Sequence, residues 1–192
     1  MARNPDRKRE TQQKMVDAAT RLFRRNGYDG IGVAGVAQEA GVTSGAFYDH
    51  FGSKEGAFAA AIGAGLDEVI EGVPRFQAEH GKGWVAAFAE YYLGAAHRGD
   101  ADRLCAMTAL SPDVARAGPE IKAAYDEKMG RIVDLIAQGL DGPTAPDRRR
   151  RAWQLLSTLI GGLTLARATG SPERAAEIAA DVIAAARRDP VL

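Results

Sequence analysis

The chain has 192 residues, which suits one compact unit or a small domain joined to a larger one. Ala is the most frequent residue and runs of β-branched residues are absent, which favours helix, and the formal net charge of zero gives no sign of a nucleic-acid partner. A single cysteine excludes an intramolecular disulfide, and no apolar stretch is typical of a signal peptide or reaches the roughly 20 residues of a membrane span.

The first 52 residues are predicted to form three short helices. Apolar side chains recur there at three- and four-residue spacing, the period of an amphipathic helix. Gly27 and Gly41 end the first two helices, because glycine adopts the left-handed conformation that often follows a helix. The predicted helices span residues 7–25, about 33–40 and about 43–50, the last capped by Thr43 or Ser44.

Positive charge is concentrated at the start of the chain. Residues 1–26 contain eight basic and three acidic side chains, a net charge of +5. Such a basic segment beside a neutral body suits binding to phosphates, and a solvated helix face is an equally good interpretation of the charge alone. The basic residues are Arg3, Arg7, Lys8, Arg9, Lys14, Arg21, Arg24 and Arg25.

The segment from Val33 to Phe51, VAGVAQEAGVTSGAFYDHF, has the spacing of a helix-turn-helix. Ala37 provides the small side chain that two closely crossing helices need, and Gly41 supplies the turn four positions later. In a DNA-binding motif of this kind the second helix enters the major groove. An ordinary pair of short helices in a bundle would have similar spacing, so the pattern alone leaves both interpretations open.

The stretch from Ala18 to Phe58 resembles the N-terminal domain of the tetracycline-repressor (TetR) family. The specific pattern A-G-V-[ST]-x-G-x-x-Y-x-H-F-x-[ST]-K-E is satisfied from Ala40 to Glu55, whereas the rest of the chain matches the family only in length and helix count. The resemblance implies an all-α regulator. It would have a helix-turn-helix DNA-binding domain at residues 1–52 and a ligand-binding and dimerisation domain at residues 53–192.

The resemblance also implies which residues bind an operator in double-stranded DNA. The second helix of the motif, here called the reading helix, would enter the major groove. Ser44, Gly45 and Ala46 would face base edges near its start. The remaining residues would bind phosphates, Thr43 through its hydroxyl and the backbone N–H groups of the helix start. The complete set is Thr43, Ser44, Gly45, Ala46, Tyr48, His50 and Lys54.

Two departures from the family pattern bear on specificity. The family often has Thr-Ser-x-Arg-Asp where this chain has Ile31-Gly32-Val33-Ala34-Gly35, so a capping hydroxyl and a basic side chain are missing. The reading helix also lacks Arg, Asn and Gln, the side chains that make bidentate contacts with bases. We therefore expect DNA shape or the basic N-terminal segment to contribute more of the specificity.

The rest of the chain is also predicted to be helical, for a total of about nine helices. A fourth helix begins after Ser53 and runs to about Glu71, and residues 72–83, which contain Pro and Gly, indicate a bend and a loop. Ser111-Pro112 and Ser171-Pro172 each place a cap before a proline at the first helical position. The other predicted helices span residues 84–97, 102–110, 119–140, about 147–169 and 172–188.

The last two predicted helices carry regularly spaced apolar and small side chains. Gly161-Gly162 and several alanines would permit close approach across a two-fold axis. In the TetR family two such helices from each subunit form a four-helix interface, so the resemblance implies a homodimer. Packing of these helices within one subunit is the alternative.

The C-terminal part is rich in aromatic and soft side chains, which suit a cavity for a small, mostly apolar effector of unknown identity. A filled core is the alternative for each residue, and the ligand-binding domain itself is implied by the resemblance. Cys105, placed in the first turn of a helix beginning at Asp102, could also react with electrophiles, although a lone cysteine is more often a small core residue. Candidate ligand contacts are Phe88, Tyr92, Cys105, Tyr125, Met129 and Trp153.

No nucleophile–base pair and no metal-ligand spacing is evident, so we expect no catalytic residue, no metal and no cofactor. The chain is predicted to be a cytoplasmic transcriptional regulator without a membrane partner, a repressor released from its operator by a small apolar or electrophilic ligand. The alternatives are a helical ligand-binding protein without operator affinity, which the plain reading helix could support, and an enzyme.

Overall fold

Every regular element of the computed structural model is a helix, within the residues that it describes, 5–100 and 104–188. The predicted all-α class is confirmed, with ten α-helices in these ranges where about nine are expected from sequence periodicity. The helices are α1 (Pro5–Asn26), α2 (Val33–Glu39), α3 (Ser44–Phe51), α4 (Lys54–His80), α5 (Trp84–Tyr92), α6 (Ala95–Gly99), α7 (Ala106–Arg116), α8 (Pro119–Gln138), α9 (Ala145–Ala168) and α10 (Pro172–Arg188). A 3-10 turn at Gly81–Gly83 joins α4 to α5.

The first three helices end and turn as the sequence predicts. Gly27 and Gly41 have φ angles of +70° and +66°, in the left-handed region where a side chain is strained. The backbone N–H of Val42 donates to the carbonyl of Ala37 at 2.9 Å, which closes the turn between α2 and α3. Phe47 of α3 is fully buried, so α3 packs by that face and leaves its opposite face to solvent.

α4 is longer than the sequence predicts. The expected end is near Glu71, whereas the helix continues through Pro74. A proline inside a helix removes one backbone hydrogen bond and costs about 3 kcal/mol. Tertiary contacts on both sides of it offset that cost, because Val73 is buried and the side-chain amide of Gln77 donates to the carbonyl of Leu135 at 2.8 Å. The loop predicted for this segment is therefore wrong.

The sequence also misplaces the boundaries of α5, α6 and α7. The single helix predicted for residues 84–97 breaks at Gly94, where a Cβ atom would lie 3.1 Å from two backbone carbonyl oxygens. α7 begins at Ala106, and Asp102, its predicted start, lies outside the described residues. α7 also runs through Ser111-Pro112, where Pro112 is exposed and the buried Leu110 anchors the opposite face. At Ser171-Pro172 the predicted cap is confirmed, since the Ser171 hydroxyl accepts a hydrogen bond from the N–H of Arg174 at 3.2 Å.

A continuous hydrophobic core connects the N-terminal helices with the C-terminal ones. At the junction, the Phe58 ring of α4 lies 5.2 Å from that of Phe23 and 4.9 Å from that of Tyr28, measured between centroids. Farther along, α4 packs against α8, and α8 packs against α9. α9 and α10 approach closely because a Cβ atom at Gly162 would lie 2.7 Å from Val182. α4 is thus the element that both halves share.

No helix in the described parts of the chain is long and apolar enough to cross a membrane.

Candidate functional sites

The helix α3, which the resemblance predicts to read DNA, is capped at its start and open on its outer face. Its cap is Thr43, whose hydroxyl accepts a hydrogen bond from the N–H of Ala46 at 3.2 Å. Ser44 and Gly45 are exposed, whereas Ala46 is half-buried. Two of the three residues predicted to face base edges are therefore open to contact, and the third is partly covered.

The other residues predicted to bind phosphates lie in α3 and at the start of α4. Tyr48 is 53% exposed. His50 is half-buried, with its ring centroid 4.4 Å from that of Phe51. The Lys54 ammonium lies 4.3 Å from the centroid of the Tyr28 ring, a cation–π distance, so the turn after α1 positions this lysine.

A groove between α1 and α3 adds residues that the resemblance does not assign. Arg7 and Lys8 of α1 line one side of it, and Asp49 and His50 of α3 line the other. Basic side chains beside a reading helix suit phosphate contacts, which agrees with the role predicted for the basic N-terminal segment. Arg3, the first basic residue of that segment, lies outside the described residues.

The departure from the family pattern before α2 is accommodated by packing. Gly32 precedes α2 and provides no side-chain cap, as the sequence predicts. The Ile31 side chain reaches over this helix, so that a Cβ atom at Gly35 would lie 2.5 Å from the Ile31 Cδ1 atom. Glycine at position 35 therefore leaves the space that Ile31 occupies.

A second site lies where α1 meets the C-terminal part. A cavity of about 640 Å³ that is partly open to solvent, here called the inner cavity, is lined by residues of α1, α4, α5 and α6 together with Cys105. This volume is within the range of small-molecule sites. The polar and aromatic residues that line it are Arg24, Glu68, Phe76, Phe88, Tyr91, Tyr92 and His97.

The inner cavity contains half of the ligand contacts predicted from the sequence. Phe88, Tyr92 and Cys105 line it, whereas Tyr125 and Met129 of α8 are not among its lining residues. Trp153, which the sequence predicts to be an interior residue, is instead 41% exposed, on the face of α9 that turns away from the core.

Phe76 is a lining residue that the sequence prediction missed. Its segment is predicted to be a loop because of Pro74, although Val69, Val73 and Phe76 follow one another at helical spacing of four and three residues. That spacing is the signal that identifies the continuation of α4 along the cavity.

Cys105 precedes α7 and does not lie in its first turn as the sequence predicts. Burial raises the pKa of its thiol, and hydrogen bonds from the Tyr92 hydroxyl and from N–H groups of α7 lower it by less. The thiolate, which is the reactive form, is therefore scarcer at neutral pH than in a free cysteine. Arg103, which the sequence places nearby as an activating charge, lies outside the described residues.

Arg24 does not belong with the solvent-facing basic residues of the N-terminal segment. Its side chain is only 8% exposed, and its Nη2 atom lies 2.7 Å from an Oε2 atom of Glu68 on α4. It lines the inner cavity from the last turn of α1. A charge counted by sequence as a candidate DNA contact is thus part of the cavity.

A further contact crosses the junction between the N-terminal helices and α7. The backbone N–H of Tyr28 donates to the Asp113 carboxylate of α7 at 3.0 Å. The same tyrosine ring supports Lys54, so α7 is linked through one residue to the predicted DNA-binding surface. Among the described residues, no group of three or more His, Cys, Asp or Glu could hold a metal ion.

These features define a class of protein, in which a helix-turn-helix is followed by a larger helical part that contributes to a cavity. Residues 15–61 match the family described as bacterial regulatory proteins, tetR family. The resemblance predicted from the sequence is therefore confirmed, and this chain carries the N-terminal domain of TetR-family transcriptional regulators. No curated protein sequence matches the chain.

Solved structures share the fold over nearly the whole chain. A TetR-family transcriptional regulator from Agrobacterium tumefaciens has a TM-score of 0.79 at 18% identity, covering 95% of this chain and 98% of that one. The reduced form of E. coli NemR has a TM-score of 0.79 at 17% identity, with coverage of 94% and 96%. AibR in complex with isovaleryl coenzyme A and operator DNA has a TM-score of 0.64 at 20% identity, with coverage of 91% and 97%.

Proposed function

We propose that the protein is a cytoplasmic, homodimeric repressor, which binds an operator through α3 and is released when a small, mostly apolar molecule enters the inner cavity. The observation that carries this proposal is the course of α4. Its first residue is Lys54, a predicted phosphate contact, and its middle lines the inner cavity at Gly65, Val69 and Val73. A ligand that displaces the middle of α4 would therefore change the position of its start and of α3.

The division into a DNA-binding domain up to residue 52 and an effector domain from residue 53 is part of this proposal. An electrophoretic mobility shift with the DNA that flanks the chain's own gene tests the proposal as a whole. Loss of DNA binding when the small-molecule fraction of a cell extract is added supports a ligand-released repressor. Absence of binding would favour the alternative of a ligand-binding protein without operator affinity.

Replacing Lys54 with alanine should weaken binding to all DNA sequences alike. A lysine that contacts one phosphate releases about one counterion, so the slope of log affinity against log salt concentration should fall by about 1. Fluorescence anisotropy of a labelled operator, measured over a series of salt concentrations, gives both quantities.

Lys82→Ala is the matched control for Lys54→Ala, because Lys82 is an exposed lysine in the turn between α4 and α5. It should leave both the affinity and the salt slope unchanged. A Lys54→Ala protein that binds as tightly as wild type at every salt concentration would show that the proposed docking is wrong.

Cys105 is expected to react slowly with soft electrophiles at neutral pH. Because burial raises the pKa of the thiol, the thiolate fraction is low at pH 7 and increases steadily with pH below that raised value. The alkylation rate with iodoacetamide, followed by mass spectrometry between pH 7 and pH 9, should stay below that of free cysteine and rise throughout this range.

Cys105→Ser provides the functional comparison for that measurement. Operator binding by the two proteins should respond equally to a soft electrophile, because the thiol serves as a small packing residue in this proposal. Release of the wild type alone would instead support the electrophilic effector expected from the sequence.

The proposed homodimer is supported by the outer face of α9. Leu165 is 62% exposed there and Trp153 is 41% exposed, so α9 presents two large apolar side chains to solvent. Between them, Gly161 has open space where a Cβ atom would lie. A small residue flanked by large apolar ones suits close packing of a second helix.

A further inference from the structure

We propose that the inner cavity takes an apolar organic acid, whose anionic group binds Arg24. This inference rests on the proposed function, since it names the chemical class of the effector. The binding site would then include a residue of α1, so the ligand would contact the DNA-binding part of the molecule directly.

The first observation is that Arg24 is a buried cation with unused hydrogen-bonding capacity. Its side chain is 8% exposed, and its Nε atom is buried without a hydrogen-bond partner among the described residues. Only Glu68 pairs with it there, and that carboxylate is 61% exposed, so water screens its charge. A buried guanidinium with an unsatisfied N–H gains more from a second anion than an exposed one does.

The second observation is that the surrounding backbone makes room for this guanidinium. A Cβ atom at Gly65 of α4 would lie 2.5 Å from the Ala106 Cβ atom and 2.7 Å from the Arg24 Nη2 atom. The absence of a side chain at this position therefore leaves space that both α7 and the guanidinium occupy.

The sign of the ligand charge follows from which charges are buried. The other charged residues that line the inner cavity are Glu68, Arg75 and Glu79, and all three are exposed to solvent. Interactions of exposed charges are weakened by water and salt, whereas a charge in the low-dielectric interior acts at greater strength. Arg24 is the most buried of these charges, so it favours an anion.

The rest of the cavity suits an apolar body. The Phe76 ring lies 5.6 Å from that of Phe88 and 5.2 Å from that of Tyr91, measured between centroids, so the three rings form one wall. The Tyr92 hydroxyl is already engaged with the Thr108 hydroxyl at 2.8 Å. An aromatic or aliphatic carboxylate combines the two features that the cavity offers.

Binding of such an anion would alter the contact that holds α1 to α4. The ligand carboxylate and the Glu68 carboxylate would compete for the same guanidinium. Because Arg24 lies in the last turn of α1, weakening this ion pair changes how the DNA-binding helices sit on α4. Release from DNA would then follow from the ligand's charge as well as from its bulk.

The test compares two fluorescent probes that share an aromatic skeleton, measured with the full-length protein and without DNA. The anion 8-anilinonaphthalene-1-sulfonate carries the charge, and N-phenyl-1-naphthylamine is its neutral counterpart. Arg24→Met should weaken binding of the anion at least about tenfold and leave the neutral probe within about twofold. Decanoate should displace the anionic probe from wild type at a lower concentration than decan-1-ol does.

Glu68→Gln distinguishes ligand binding from a merely structural role of the ion pair. Removing the competing carboxylate should strengthen binding of the anionic probe, at least about threefold, whereas Arg24→Met weakens it. If the pair only holds the helices together, both variants break it and both should shift probe binding in the same direction. Glu68 is exposed, so this variant stays informative even if Arg24→Met fails to fold.

Two further variants locate the probe in the inner cavity. A Cβ atom at Gly72, which lines the cavity, would meet open space, so Gly72→Phe should block both probes and Gly72→Ala neither. Unchanged anion binding in Arg24→Met, or unchanged or weaker anion binding in Glu68→Gln, would overturn the proposal. Because no DNA is present, failure to find an operator would count against the proposed function alone.

Discussion

Replacing Leu165 with aspartate is expected to convert the protein from a dimer into monomers and to lower its operator affinity about a hundredfold or more. Leu165 is 62% exposed on α9, so the substitution leaves the packing within one subunit largely intact. In the proposed dimer the same position is buried, and an unpaired carboxylate there loses its hydration. The affinity falls because a monomer contacts one half-site where a dimer contacts two.

Sedimentation velocity at micromolar concentration measures the oligomeric state, and anisotropy of labelled DNA measures the affinity. Ala124→Asp is the matched control, since Ala124 is an exposed apolar residue on α8. That variant should sediment and bind as wild type does. A wild-type monomer, or a Leu165→Asp dimer, would contradict the proposed interface.

Replacing Phe58 with alanine should lower the free energy of unfolding by about 3–5 kcal/mol, the usual cost of truncating a buried phenylalanine. Phe58 is 1% exposed and contacts the rings of Phe23 and Tyr28 at the junction of α1 and α4. Their contacts leave little room for the structure to close around the missing ring. For a chain of this length the loss corresponds to a fall in Tm on the order of 10 °C.

Thermal unfolding followed by circular dichroism at one fixed protein concentration gives the comparison, because association changes the apparent Tm. Phe58→Leu should cost less than about 1.5 kcal/mol, since a leucine refills most of the volume. An equal loss for both substitutions would mean that the aromatic ring contacts, and not the filled volume, stabilise the junction. No loss in either would show that the junction is not part of the cooperative core.

The helix-turn-helix is the part of the molecule that the sequence predicts best. Gly27 and Gly41 end their helices with positive φ angles, as expected, and Thr43 caps α3. These features depend on neighbouring residues and on backbone stereochemistry, which local sequence contains. The family resemblance adds the function, because the matched pattern is itself a short, continuous segment.

The helix boundaries in the C-terminal part show where local signals are insufficient. Pro74 and Pro112 each suggest a break, yet α4 and α7 continue through them. A proline costs about as much as one or two good tertiary contacts, so the outcome depends on what packs beyond it. For α4 those contacts come from Leu135, 58 positions away from its partner Gln77 in the chain.

By itself, the sequence determined the all-helical class, the positions of the first three helices and the family that the N-terminal segment matches, because periodicity, turns and a contiguous motif are properties of local sequence. Only the tertiary structure decided which side chains face each site. Trp153 is exposed on the surface although its large apolar side chain suggests a core residue. Arg24 is buried although its charge suggests a surface residue. Burial of a side chain depends on the helices that pack around it, and for Arg24 those contacts come from α4, more than 40 residues later in the chain.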